Sequence, residues 1–313
     1  MQFTDIRIVF MGTPDFAVAS LDALVKAGCN IVGVVTAPDK PAGRGMKITE
    51  SAVKKYAVEK GLRILQPEKL KNPVFIDELR SLKADLQIVV AFRMLPEIIW
   101  NMPQMGTVNL HGSLLPQYRG AAPIHWAVIN GEKETGVTTF QLKHEIDTGG
   151  ILLQKSFPIG DEETTGEVHD KMKEIGAAVL VETVKGLAEK TLKEVDQSTI
   201  IKTDLVLHHA PKIFTETCQI HWEETVDKID NLIRGLSPFP GALTVLDGKI
   251  LKVFKSKKEP IQHHYPAGEV FTDGKTFLKF SCANGYIHIQ DLQLEGKKRM
   301  LTEDFLRGYR IGI

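Results

Sequence analysis

Short apolar runs recur through the N-terminal part of the chain: Ile6–Phe10, Ile31–Thr36, Leu62–Leu65, Leu86–Phe92 and the segment around Val108 and Leu110. Most are parted by stretches long enough for a helix. Strands buried on both faces read as continuous apolar runs, and parallel strands need a crossover of helical length between them. The pattern therefore restricts this part to a doubly wound α/β fold with a mostly parallel, Rossmann-like sheet. Thr13 and Pro14 predict the cap and first residue of a helix that reaches Ala27 and stops at Gly28. Thr49–Lys60 and Asn72–Lys83 read as further helices, the second with Asn72 as cap and Pro73 as first residue. Gly12 is not part of a G-x-G-x-x-G, so a nicotinamide dehydrogenase loses most of its support.

Downstream, Ala121–Asn130 reads as a helix, and Gly136–Lys143 and Ile151–Pro158 as strands. Thr164 with Glu167 offers a capping box for a helix to about Lys190, which closes a first domain over 1–190. Residues 191–205 form a polar linker without periodicity. A second domain, 206–313, has a helix over Thr225–Gly235 and then five short strands: Ala242–Leu246, Ile250–Phe254, Gly268–Phe271, Thr276–Ser281 and Tyr286–Leu294. Five such strands parted by turn residues suggest a small open β-barrel of OB type. Lysines and arginines cluster at Lys249–Lys258 and Lys297–Arg299, a solvated face or a track for a phosphate backbone. With 39 basic and 39 acidic residues, no net charge announces a nucleic-acid partner. The three cysteines are far apart and have no metal-ligand spacing, which implies a reduced, cytoplasmic protein without a metal site. No apolar run reaches the length of a bilayer span, and the N-terminus lacks the pattern of a signal peptide.

Residues 108–120 carry the candidate chemistry. Asn109 and His111, two apart at a strand end, project from the same face. An amide donor beside an imidazole suits acyl transfer: both can hydrogen-bond a developing oxyanion, and the ring can also move a proton. The plainer reading of N-x-H is a strand end whose polar residues cap backbone groups. Gly112 then gives a turn, Ser113, Leu114, Leu115 and Pro116 an apolar shelf, and Arg119 and Gly120 lead into a new helix. Residues 37–47 form a Pro- and Gly-rich loop with Lys40, Arg44 and Lys47, placed where a sheet's carboxyl edge binds ligands. Asp147, before two glycines, reads first as a turn former.

N-x-H-x-S-L-L-P over 109–116, followed by R-G-A-A-P-I over 119–124, resembles the 10-formyltetrahydrofolate-dependent formyltransferases, and the resemblance extends over essentially the whole chain. It implies transfer of the formyl group of 10-formyltetrahydrofolate to the α-amine of methionine on initiator tRNA, by direct attack of the amine and with no metal. It also implies that Asp147 faces His111 and that Phe92, Met94 and Ser113–Pro116 flank the folate. Lys40, Arg44 and Lys47 then belong to a loop that grips the tRNA acceptor end. The turn reads V-A-F-R-M-L-P, one residue shorter than the V-A-Y-G-x-I-L-P common in that family, with Arg93 as the novelty. A monomer without a membrane partner is expected. A nucleotide-sugar formyltransferase or a formyltetrahydrofolate hydrolase would share Asn109, His111 and Asp147, and a non-catalytic RNA-binding protein is the alternative from another class.

Overall fold

The computed structural model describes residues 2–42, 47–201 and 206–312. Its chain divides into two compact units that are not continuous in sequence. The first comprises Met1–Arg119, Gly136–Phe157 and His169–His208, and the second Gly120–Thr135, Pro158–Val168 and His209–Ile313.

In the first unit the described residues form a seven-stranded sheet of β1 (Arg7–Gly12), β2 (Asn30–Val35), β3 (Ile64–Leu65), β4 (Leu86–Val90), β5 (Thr107–His111), β6 (Glu134–Gln141) and β7 (Ile151–Pro158). Their order is β7-β6-β5-β4-β1-β2-β3. The pairs β1–β2, β1–β4, β2–β3 and β4–β5 are parallel, whereas β5 and β6 are antiparallel. The sheet is thus doubly wound and mostly parallel, as the apolar runs predict. β1 and β4 are buried along almost their whole length because they lie inside the sheet, with Ile8 facing Leu86 and Phe10 facing Ile88 in register. Fully burying a side chain such as Phe10 stabilises by about 2 kcal/mol. Val9, Met11, Val35 and Val89 pack with Phe75 and Leu79 of helix α3 (Pro73–Ser81) into one cluster.

Helix α1 (Asp15–Lys26) starts one residue later than the sequence suggests. Pro14, extended at ψ 176°, is its N-cap without a side-chain hydrogen bond, and Asp15 supplies the favourable charge of the first turn. Gly12 explains itself by close approach: a Cβ there would lie 2.6 Å from that of Ala17. This is a packing glycine, in keeping with the missing dinucleotide fingerprint. Helix α2 (Ala52–Glu59) is capped by Ser51, which accepts the Lys54 N–H at 3.0 Å. α3 is capped by Asn72 with Pro73 at its start. Helix α4 (Glu97–Trp100) is one turn long.

In the second unit, helix α5 (Pro123–Ile129) meets helix α7 (Val226–Gly235), and a Cβ on Gly235 would lie 2.4 Å from Ile129 Cγ1. The capping box before helix α6 (Thr165–Glu189) forms as expected: Glu167 Oε2 accepts the Thr164 N–H at 2.8 Å. Thr165 adds a bond from its hydroxyl to the Gly235 carbonyl at 2.7 Å. These contacts explain why two upstream segments belong to the C-terminal unit. Strands β8 (Ala242–Leu246), β9 (Lys249–Pro260), β10 (Val270–Thr272), β11 (Leu278–Cys282) and β12 (Gly285–Leu294) follow, with β13 (Met300–Leu301) on β12. Their order is β8-β9-β12-β11-β10 and the pairs are antiparallel, an open barrel. The register shifts around Lys255, the kind of irregularity that lets a long strand bend round. Val226, Ile229 and Ile233 of α7 pack with Leu251, Val253, Phe280 and Ile287, and Trp222 stacks on Phe280 at 4.5 Å. Helix α8 (Thr302–Arg307) adds Phe305 and Leu306 to that core.

Asp230 of α7 is buried beside Ser256, whose hydroxyl donates to its Oδ1 at 2.7 Å, and burial raises its carboxyl above the usual range. A raised acid weakens the fold as pH climbs, because the folded state must release a proton that the unfolded state gives up more readily. Asp230→Asn keeps the acceptor for Ser256 and removes the charge. Its Tm should exceed that of the wild type at pH 7, and the gain should vanish as pH falls below the ordinary carboxylate range. A thermal melt series against pH checks this.

Candidate active site

Strands β4 and β5 are parallel neighbours and pair Val89 with Asn109 and Val90 with Leu110, so their carboxyl ends stop at the same level. Asn109 and His111 project from β5, as their spacing predicts, while β6 sets Phe140 opposite Asn109 and Thr138 opposite His111. His111 is 6 % exposed and packs edge-on against Phe140 at 6.4 Å between ring centres. Its Nε2 lies 2.9 Å from the Tyr118 carbonyl oxygen. A carbonyl can only accept, so Nε2 carries a proton and the ring's orientation is fixed. Nδ1 is left for chemistry and lies 3.7 Å from Oδ2 of Asp147. That gap exceeds a direct hydrogen bond. It brings two groups able to hold one proton to the same spot. The Asn109 side chain is half-buried, and no hydrogen bond from it occurs among the described residues, so its amide donors stay available.

The segments that hold these groups carry unusual backbone. Ala91, Tyr118 and Asp147 have φ of 47°, 58° and 54°, in the left-handed region that non-glycine residues enter at a cost. The first ends β4, the second offers the carbonyl to His111, and the third faces its Nδ1. Gly149 fixes the last loop by proximity, since a Cβ there would stand 1.6 Å from the Gln141 carbonyl oxygen.

The apolar shelf is pinned by two side chains that the sequence pattern does not single out. Thr138 Oγ1 donates to the Ser113 carbonyl at 2.7 Å and accepts the Leu115 N–H at 3.1 Å. Gln154 Nε2 donates to Thr138 Oγ1 at 2.9 Å and to the Leu115 carbonyl at 2.8 Å. Ser113 turns its hydroxyl to the Gln117 carbonyl, and Leu115 sits in a cluster with Phe140 and Ile151. Ser113, Leu115 and Pro116 are thus buried, whereas Leu114 is half-buried. Met94 is 75 % exposed and Phe92 half-buried, which leaves uncovered apolar surface at the end of β4, the chemistry a flat heteroaromatic ring requires. Arg93 has a structural task here. Nη1 donates to the Glu68 carbonyl at 2.9 Å and Nη2 to that of Pro67, so the guanidinium ties the shortened turn to the loop before α3.

Lys40 is exposed at the start of a short hairpin pairing Lys40–Ala42 with Lys47–Thr49, and Lys47 opens its second strand. Arg44 lies outside the described residues. Among the described residues no group of three or more His, Cys, Asp and Glu side chains is placed to hold a metal ion, and no helix is long and apolar enough to cross a membrane. The three cysteines are free and buried. A 340 Å³ pocket in the second unit, lined by Lys275, Glu303, Arg307 and Arg310 among others, contains none of the candidate site residues.

The α/β sheet and the antiparallel barrel each match a model of one family over most of their length, so the chain belongs to the formyl transferase family. The family's formyl transferase model matches residues 6–184, and its C-terminal domain model matches residues 212–310. Among its relatives the methionyl-tRNA formyltransferase of Parabacteroides distasonis is 54 % identical, over 99 % of this chain and 98 % of that protein. The methionyl-tRNA formyltransferase of Phocaeicola vulgatus is 56 % identical, with the same shares covered. The fold is shared with an N-formyltransferase from Helicobacter canadensis, solved with folinic acid and dTDP-3-aminofucose. That structure matches 94 % of this chain and all of its own, with a TM-score of 0.69 at 19 % identity.

The left-handed backbone at Asp147 separates charge from conformation in a mutational test. Asn tolerates that region, and Ala does not. Asp147→Asn should melt close to the wild type, whereas Asp147→Ala should lose about 1 kcal/mol more, read from paired denaturant titrations. Equal losses would mean that the backbone is not held there.

Proposed function

We propose that this protein transfers the formyl group of 10-formyltetrahydrofolate to the α-amine of methionine on initiator Met-tRNA, for translation initiation. The observation that carries the reading is His111, fixed by the Tyr118 carbonyl through one nitrogen and facing Asp147 with the other, on the same strand end as an Asn109 amide that no other described residue engages. The acceptor follows from the near-full-length identity to methionyl-tRNA formyltransferases.

Bound 10-formyltetrahydrofolate supplies the formyl group. As the methionine amine bonds to the formyl carbon, negative charge gathers on the formyl oxygen, and the Asn109 amide donates to it. His111 has only Nδ1 to offer, because Nε2 is held by Tyr118. Nδ1 donates to the oxygen when it carries a proton and accepts the amine proton when it does not. Asp147, 3.7 Å away, shares that proton and keeps it in the site until it passes to the folate nitrogen as the carbon–nitrogen bond breaks. Phe92, Met94 and Leu114 are the groups we assign to the folate, with Ser113, Leu115 and Pro116 shaping the shelf behind them. Lys40, Arg44 and Lys47 are assigned to phosphates of the acceptor end, and the C-terminal barrel to the body of the tRNA. Residues 1–190 then carry the chemistry and 206–313 the RNA contact, in a monomeric cytoplasmic enzyme, for which three free buried thiols are in keeping.

Formyl transfer assayed in parallel against charged initiator tRNA, uncharged tRNA, an amino-sugar nucleotide and water should give product with the charged tRNA alone. Formylated sugar nucleotide, or formate released without tRNA, would assign the site to a different formyl acceptor. Asn109→Ala should lower kcat on the order of a hundredfold, from the loss of about 3 kcal/mol of oxyanion stabilisation, with the KM for folate little changed. Near-normal kcat in that variant would remove Asn109 from the chemistry.

A further inference from the structure

Residues 185–211 lie between the two segments that the family's models match. In composition they are a polar connector, yet Gln197 in their midst is 1 % exposed. Its amide is fully used. Oε1 accepts from Arg119 Nε at 3.0 Å and Arg119 Nη2 at 2.6 Å, and Nε2 donates to the carbonyls of Asp147 and Gly149, both at 2.8 Å. Two lone pairs and two N–H groups thus have four partners, the most a carboxamide can satisfy.

Those partners belong to the two segments that hold the two sides of one imidazole. Arg119 follows Tyr118, whose carbonyl binds His111 Nε2. Asp147 and Gly149 belong to the loop that faces His111 Nδ1. We propose that Gln197 is a positioning residue for formyl transfer: its side chain locks the Tyr118–Arg119 segment to the Asp147–Gly149 loop, so that the carboxylate and the carbonyl keep a fixed relation across the ring. The proposal rests on the reading of Asp147 and His111 given above.

The connector is built to hold Gln197 in place. Val195 and Ile151 exchange N–H···O bonds of 2.8 Å in both directions, which anchors the connector to the first residue of β7. Asp196 caps the single helical turn Gln197–Thr199 by accepting the Ser198 N–H at 2.8 Å. Gly150 leaves room for the connector, since a Cβ there would stand 2.0 Å from Glu194 Cγ. Asp147 in turn needs an external hold, because its backbone is left-handed at φ 54°.

The test uses the full-length enzyme with Gln197→Ala, Gln197→Glu and Asp147→Asn, singly and with each Gln197 variant combined with Asp147→Asn. Gln197→Glu is nearly isosteric and keeps acceptors for Arg119, but it sets oxygens against the carbonyls of Asp147 and Gly149. It therefore probes the loop contacts even if Gln197→Ala folds poorly. Both Gln197 variants should lower kcat at least tenfold, with the KM for folate and for Met-tRNA moving less than about twofold. Neither should lower kcat much further in the Asp147→Asn background, because the group they position is already disabled. A purely structural role would lower the fraction of active enzyme and leave kcat per active site unchanged, and that outcome overturns the proposal. So does a kcat loss that multiplies with that of Asp147→Asn, or a Gln197→Glu variant with wild-type kcat beside an impaired Asp147→Asn. If Asp147→Asn itself keeps wild-type kcat, the reading of the site falls and this proposal falls with it.

Discussion

The hydrogen bond between His111 Nε2 and the Tyr118 carbonyl decides how the rest of the site can work. By committing one nitrogen to the backbone it defines the tautomer and turns Nδ1 towards Asp147. A free imidazole at a strand end could flip, and each flip would exchange donor for acceptor. Here the carbonyl prevents it, and Phe140 closes the ring's edge. Much of the surrounding structure can be traced to holding Tyr118 where that bond forms. The Tyr118 N–H donates to the His208 carbonyl at 2.7 Å, and the two rings stack at 5.7 Å.

Around that bond, the polar side chains behind the site are nearly saturated. Thr138 uses its donor and accepts two hydrogen bonds, and Gln197 uses all four of its positions. An unpaired buried polar group costs roughly 1–3 kcal/mol, so each such residue is held to one geometry. Asn109 contrasts with them, its amide not engaged by any described side chain. On the proposed reading that division separates scaffold from reagent: groups that hold are satisfied within the protein, and groups that act keep a donor in reserve for charge that appears only during reaction.

The strands were largely legible in the sequence because buried parallel strands write themselves as apolar runs. Ile151–Pro158 and Ala242–Leu246 match the expected bounds, and the capping pairs at Asn72 and Thr164 lie where their side chains predict. The shared strand face of Asn109 and His111 was legible from their spacing of two, and the nearness of Asp147 to His111 through a family resemblance alone. Three things were not legible. The start of α1 was read one residue early, because Thr13-Pro14 resembles a cap with its first residue while ψ of 176° keeps Pro14 outside the helix. Thr138, Gln154 and Gln197 carry no local signal, since what defines them is a partner far along the chain. Gln197 acts on residues 48 to 78 positions away, and the Asp196–Ser198 turn is the one hint that its segment is ordered. The composition of the second unit was hidden for the same reason: α5 reads as part of the upstream domain until its contact with α7 is seen.

That contact bears on how the chain could be dissected. α5 and the turn before α6 complete a unit whose barrel lies downstream of residue 208, so neither half of the chain contains all of its own core. A protease cut or a stop codon near residue 190 would leave Ile129 without the helix that covers it and Thr165 without the carbonyl that receives its hydroxyl. During synthesis those residues leave the ribosome well before their partners exist. The N-terminal sheet can pair its strands at once, but α5 has to wait, exposed, until α7 has been made.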